Sequence, residues 1–188
     1  MSIVAQMLGC QYPVIQGAMG VISNPEMVSS VSKAGGFGLL ATAFATDPDV
    51  VLSQIKATKK LTDKPFGANL HGMNPLTPKF AEVMAEEGLP AVTLSGGSPK
   101  QIIPILHEHK MKAIVVVPSV DVACKAVDVG ADVIVAEGSE SGGMQGFNGA
   151  STLVLVPAVV DAVDVPVVAA GGIADSRGYK AAFALGAQ

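Results

Sequence analysis

Three observations in the sequence predict an α/β fold built from parallel strands. Short valine-rich runs alternate with amphipathic stretches seven times along 188 residues, a repeat of roughly 27 residues of the kind that strand–helix units produce. The runs, such as 113–118 and 165–170, are apolar throughout, which is the pattern of strands covered on both faces. Glycine, proline and capping residues punctuate the junctions. Such alternation allows a doubly wound open sheet or a (β/α)8 barrel. The seventh helical stretch ends at Gly186-Ala187-Gln188, where an eighth strand is due. The chain therefore reads as one domain, residues 1–188, of the TIM (β/α)8-type barrel class, apparently truncated after the seventh βα unit.

The strands are expected at 14–16, 37–41, 66–69, 91–94, 113–117, 133–136 and 167–170. Helices are expected at 25–33, 47–61, 78–87, 99–109, 120–129, 153–163 and 176–185. Start signals support them in Ser23-Asn24-Pro25-Glu26, Asp47-Pro48-Asp49 and Ser98-Pro99. Stop signals follow in Ala34-Gly35-Gly36, Glu87-Gly88, Val129-Gly130 and Leu185-Gly186. The seventh strand's edge is expected to be unpaired or covered by a partner, and because an exposed edge is an aggregation hazard, a homo-oligomer or poor solubility is expected to follow.

Composition narrows the function. Charged residues make up 15% of the chain, against about 25% in an average soluble domain. The mean hydropathy is +0.48, yet no apolar stretch approaches the roughly 18–20 residues of a spanning helix, which argues against a membrane protein. The net charge is −4, and no basic cluster exceeds Lys59-Lys60, which argues against nucleic-acid binding. Cys10 and Cys124 lie far apart, without the Cys or His spacing of a zinc site, so no metal is expected. Two unpaired thiols and no secretory signal predict a reduced, cytoplasmic protein.

In a barrel, function gathers where strands end. Those ends read Gln16-Gly17-Ala18-Met19, Ala41-Thr42, Asn69, Ser95-Gly96-Gly97-Ser98, Pro118-Ser119, Glu137-Gly138 and Gly171-Gly172. Small residues there let backbone N–H groups approach a planar ring or a phosphate, although glycine is also ordinary turn chemistry. The loop Ala136-Glu137-Gly138-Ser139-Glu140-Ser141-Gly142-Gly143-Met144-Gln145-Gly146 holds four glycines in nine residues from Gly138 to Gly146. A valine-rich strand leading into Gly171-Gly172 and then a helix start suits a phosphate. His107 and His109 belong to a solvated helix face. His71, just past Asn69, is the histidine placed to reach the mouth. Glu140 and Asp175 suit helix-start carboxylates.

The segments Pro13-Val14-Ile15-Gln16-Gly17-Ala18-Met19, Ala34-Gly35-Gly36-Phe37-Gly38, Asn69, Ala136-Glu137-Gly138 and Ala169-Ala170-Gly171-Gly172-Ile173, taken in order, resemble the nitronate monooxygenase (2-nitropropane dioxygenase) family, which includes FMN-dependent enoyl-acyl-carrier-protein reductases. The resemblance implies FMN at the barrel mouth. It places Gly17, Ala18, Met19 and Asn69 along the flavin ring, Glu137, Gly142 and Gly143 at the ring edge and ribityl chain, and Gly171 and Gly172 at the phosphate. Two departures stand out. Met144 occupies the family's histidine position, and a thioether cannot transfer a proton. The family's other phosphate-binding turn follows an eighth strand.

The resemblance implies an FMN-dependent oxidoreductase that oxidises alkyl nitronates with O2. An NAD(P)H-driven reductase acting on enoyl thioesters is the alternative within the same class. A catalytically defective flavin-binding fragment and a flavin-free barrel for a phosphorylated metabolite are the readings from other classes.

Overall fold

A computed structural model describes residues 2–143 and 149–188. The chain divides into two compact units, Met1–Ala113 and Ile114–Gln188.

The first unit opens with α1 (Ile3–Leu8), a helix the apolar pattern did not predict. Its boundary signals are nevertheless in the sequence: the Ser2 hydroxyl caps its start, and Gly9, at φ 69°, takes the left-handed turn that ends it. Strand β1 (Ile15–Gln16) leads through a 3-10 turn at Gly20–Ile22 to α2 (Pro25–Lys33). Then follow β2 (Phe37–Ala41), α3 (Pro48–Leu61), β3 (Phe66–His71), α4 (Thr77–Glu86) and β4 (Ala91–Ser95). The strands are parallel in chain order, with Ile15 opposite Phe37, Gly38 opposite Phe66, and His71 opposite Ser95. Phe37, Leu40, Leu70, Phe80 and Met84 are fully buried. Gly38 lets α2 lie directly on β2, since a Cβ there would stand 2.6 Å from the Val28 carbonyl.

The helix expected over 99–109 is two pieces, a 3-10 turn at Pro99–Gln101 and α5 (Ile103–Glu108). Pro104 has no N–H and is tolerated only in a first turn, so the α-helix restarts around it. His107 and His109 are exposed, as their surface assignment required.

Strand β5 (Lys112–Val117) leads into the second unit, which continues with α6 (Val120–Asp128), β6 (Val133–Glu137), α7 (Thr152–Val160), β7 (Val167–Ala170) and α8 (Ser176–Ala184). These strands are also parallel, with Ile114 opposite Val133 and Glu137 opposite Ala170. Leu155, Val156 and Val159 of α7 are buried with Ile134 and Val167. On the β6 side of β7, the Pro166 and Ala170 carbonyls accept from Ile134 and Gly138. The Val167 carbonyl points the other way and accepts from the Gln188 amide at 2.9 Å. The β7 edge expected to be unpaired or covered by a partner is therefore met, at Val167, by this same chain returning from α8.

Among the described residues, no helix is long and apolar enough to cross a membrane. Cys10 and Cys124 are both free thiols, and Cys10 is buried.

Candidate functional site

In the first unit, the β1 end is held by a residue that the sequence marked only as part of a helix start. Ser23, 2% exposed, accepts from the Met19 amide and from Gln16 Nε2, each at 2.8 Å. Gln16 Nε2 also donates to the Gly17 carbonyl, and its Oε1 accepts from the Leu39 amide. The Gly17–Met19 turn is thereby tied to β2. Among the described residues, nothing lies within 4 Å of a Cβ built on Gly17, and Met19 is half exposed.

Asn69 is 8% exposed within β3. Its Oδ1 accepts from the Thr93 hydroxyl at 2.8 Å and the Ser95 hydroxyl at 3.2 Å, while its Nδ2 donates to Ser95 Oγ at 3.1 Å. Thr42 donates to the Asn69 carbonyl at 2.5 Å. A buried amide costs free energy unless it is hydrogen-bonded, and these hydroxyls on β4 and after β2 meet that requirement.

His71 lies inside β3, because the ladder continues two residues past the predicted end to pair His71 with Ser95. It lines an open cleft of about 540 Å³ with Phe44, Met73 and Asn74. The Asn74 side chain donates to the Ala43 and Ala45 carbonyls and accepts from the Leu76 amide, stapling the loop after β2 to the loop after β3. Phe44 is 82% and Met73 67% exposed, so the cleft rim is apolar.

In the second unit, Glu137 ends β6 half-buried. Burial pushes its carboxyl above the usual carboxylate range, partly offset by a hydrogen bond with Ser141. Glu140 does act as a helix-start carboxylate: its Oε2 accepts from the Thr152 amide at 2.8 Å and lies 3.0 Å from the Thr152 hydroxyl at the start of α7. Those hydrogen bonds, the backbone one first, hold its carboxyl below the ordinary range. Asp175 plays the same part at α8, accepting from the Arg177 amide at 2.9 Å and pairing with the Arg177 guanidinium. Each carboxylate thus takes one backbone amide of its helix's first turn.

The glycines of this unit fall into two groups. Among the described residues, an added Cβ on Gly142 or Gly143 meets nothing within 4 Å, whereas one on Gly172, at φ 69°, would stand 3.0 Å from Glu140 Cβ. A Cβ on Gly138 would collide with Thr152, and one on Gly171 would stand 2.5 Å from Thr152 Oγ1. Gly171 is required by its neighbour, and also by its φ of 112°, whether or not a ligand is bound. Met144, the residue at the family's histidine position, lies outside the described residues. Among those described, no group of three or more His, Cys, Asp or Glu side chains could hold a metal ion.

Parallel strands alternating with helices, with glycine-rich and polar groups at the strand ends, define the class: a (β/α)8-type barrel fold, of which residues 1–188 supply seven strand–helix units. The chain belongs to the nitronate monooxygenase family, which it matches over residues 1–188. It is similar to FabK from Thermotoga maritima, with a TM-score of 0.94 and 41% identity, covering 98% of this chain and 58% of that one. It is 40% identical to the (3aS,4S,5R,7aS)-5-hydroxy-7a-methyl-1-oxo-octahydro-1H-indene-4-carboxyl-CoA dehydrogenase of Rhodococcus jostii, over 97% of this chain and 51% of the relative. A probable nitronate monooxygenase of Staphylococcus saprophyticus is 32% identical, over 98% and 64% respectively. The chain thus spans about half the length of the first of these curated relatives. Both curated relatives carry the names of oxidoreductases.

Proposed function

We propose that this chain belongs to an FMN-dependent oxidoreductase that oxidises alkyl nitronates with O2. The observation that carries the reading is Asn69, a nearly buried amide inside β3, two residues before its end, whose oxygen is taken by two hydroxyls. One Nδ2 hydrogen serves Ser95, which leaves the second to donate to a flavin ring. The open backbone at Gly17 suits close approach of a planar ring, and Gly142 and Gly143 suit the ring edge and ribityl chain. The phosphate would rest on the backbone of the Gly171–Gly172 turn, since Glu140 and Asp175 already fill the adjacent helix starts. The flavin, once bound, supplies the redox chemistry, and the protein supplies position and polarity.

A nitronate arrives already deprotonated, so the chain's residues need only bind and orient it. Methionine at position 144 is compatible with that task. His71, on the cleft of the first unit, is the group available there to hold or move a proton.

A second reading, NAD(P)H-driven reduction of an enoyl thioester, is favoured by the higher identity to FabK and to the CoA-ester dehydrogenase than to the nitronate monooxygenase. The apolar cleft rim at Phe44 and Met73 also suits an acyl chain. The FMN-supplied protein should consume O2 with propyl-2-nitronate and leave NAD(P)H unoxidised in the presence of crotonyl-CoA. The reverse pattern would move the assignment to the reductase.

A further inference from the structure

Thr152 makes more connections among the second unit's loops than the family resemblance assigns to it. Its amide donates to Glu140 Oε2 at 2.8 Å. Its hydroxyl lies 3.0 Å from the same carboxylate oxygen, 2.9 Å from the Gly171 carbonyl and 3.3 Å from the Ala170 carbonyl. A threonine hydroxyl has one proton. With the carboxylate already held by the amide, the hydroxyl can turn that proton to Gly171 and so bridge the loop after β6 to the turn after β7. The space for this bridge exists because positions 138 and 171 carry no side chain, as any Cβ there would run into Thr152.

We propose that Thr152 is a positioning residue which, with Glu140, latches the 138–143 loop to the Gly171–Gly172 turn and so sets the protein's affinity for flavin. The proposal rests on the flavin reading above. Thr152 does not touch the cofactor; it fixes the spacing of two glycine backbones that do.

The test compares Thr152→Val, Thr152→Ser and Glu140→Ala in the purified protein. FMN affinity is read by fluorescence quenching, and hydrogen exchange is followed over residues 138–143. Losing a hydrogen bond of ordinary strength corresponds to about 3- to 10-fold in affinity. Thr152→Val should weaken FMN by that factor and speed exchange in the loop. Thr152→Ser, which keeps the proton, should restore both. The double variant Thr152→Val/Glu140→Ala should lose less than the product of the single losses, because the two residues form one latch. Wild-type affinity in Thr152→Val, or failure of serine to rescue, would overturn the proposal. A wild-type protein that takes up no FMN would sink the flavin reading instead. In that case the exchange data still decide the latch, and unchanged exchange in Thr152→Val refutes it.

Discussion

A neutral nitroalkane must lose a carbon-bound proton before it can give up electrons, whereas a nitronate has already lost it. A positioned base supplies about 10²- to 10⁴-fold of rate for that proton transfer. Methionine at 144 supplies none, so the flavin-loaded protein should oxidise nitronates and be slow on neutral nitroalkanes. Met144→His should raise kcat/KM for the neutral form more than for the anion. Equal rates on both forms in the native protein would point to another base, His71 first. Glu140 gives a second residue-level prediction. Its pKa is depressed in the folded state by the hydrogen bonds from Thr152. The latch therefore contributes stability above the unfolded carboxylate pKa and loses it as pH falls through the folded one. Protection of the Thr152 amide, its exchange measured against the intrinsic rate at each pH, should fall over that acidic window, and in Glu140→Ala the protection should be low and insensitive to the same pH change. Glu137 has the opposite sign. Burial raises its pKa, so the stabilising neutral form is lost as pH rises through the folded value, and Glu137→Gln should remove that dependence from urea midpoints. Asn69 and the loop glycines stood out in the sequence by residue type, although β3 runs two residues beyond Asn69. Ser23 and Thr152 did not: the partners of Thr152 lie 12 to 19 positions away in the chain, and only folding brings them together.

Elements were legible wherever capping chemistry coincided with periodicity. Helix α2 begins at Pro25 and ends at Lys33 as its signals require, with the Asn24 side chain accepting from the Met27 amide. The misses have local causes. Helix α1 is six residues long, too short for a period to show, although its serine and glycine caps were in view. Strand β3 runs two residues further than its valine-poor sequence suggested, because pairing with β4 carries it to His71. Helix α5 is shortened by Pro104. The contact between α2 and β2 yields a stability prediction. Gly38→Ala would place a methyl 2.6 Å from the Val28 carbonyl and 2.9 Å from the Val28 Cα, both backbone atoms that cannot swing away. Overpacking of this kind costs about 1–3 kcal/mol, visible as a lower urea midpoint at unchanged slope. An unshifted midpoint would mean that α2 can lift off the sheet at no cost.

At the scale of the whole molecule, the seven-fold alternation was enough to name the fold class, because parallel strands buried on both faces leave few architectures open. The last residue was less legible. Strand β7 looked like an exposed edge, yet Gln188 already pairs with Val167, a contact that no local pattern signals. The chemistry reduces to whether the strand-end glycines and Asn69 hold a flavin. The direct measurement is the visible absorbance of the purified protein after incubation with FMN and removal of the excess by gel filtration. A yellow protein that retains FMN in near-equal proportion to the chain, and loses it when Gly17, which has no left-handed φ and no described neighbour within 4 Å of an added Cβ, is replaced by valine, is the predicted result. A colourless protein, or one whose flavin content ignores that substitution, would contradict it.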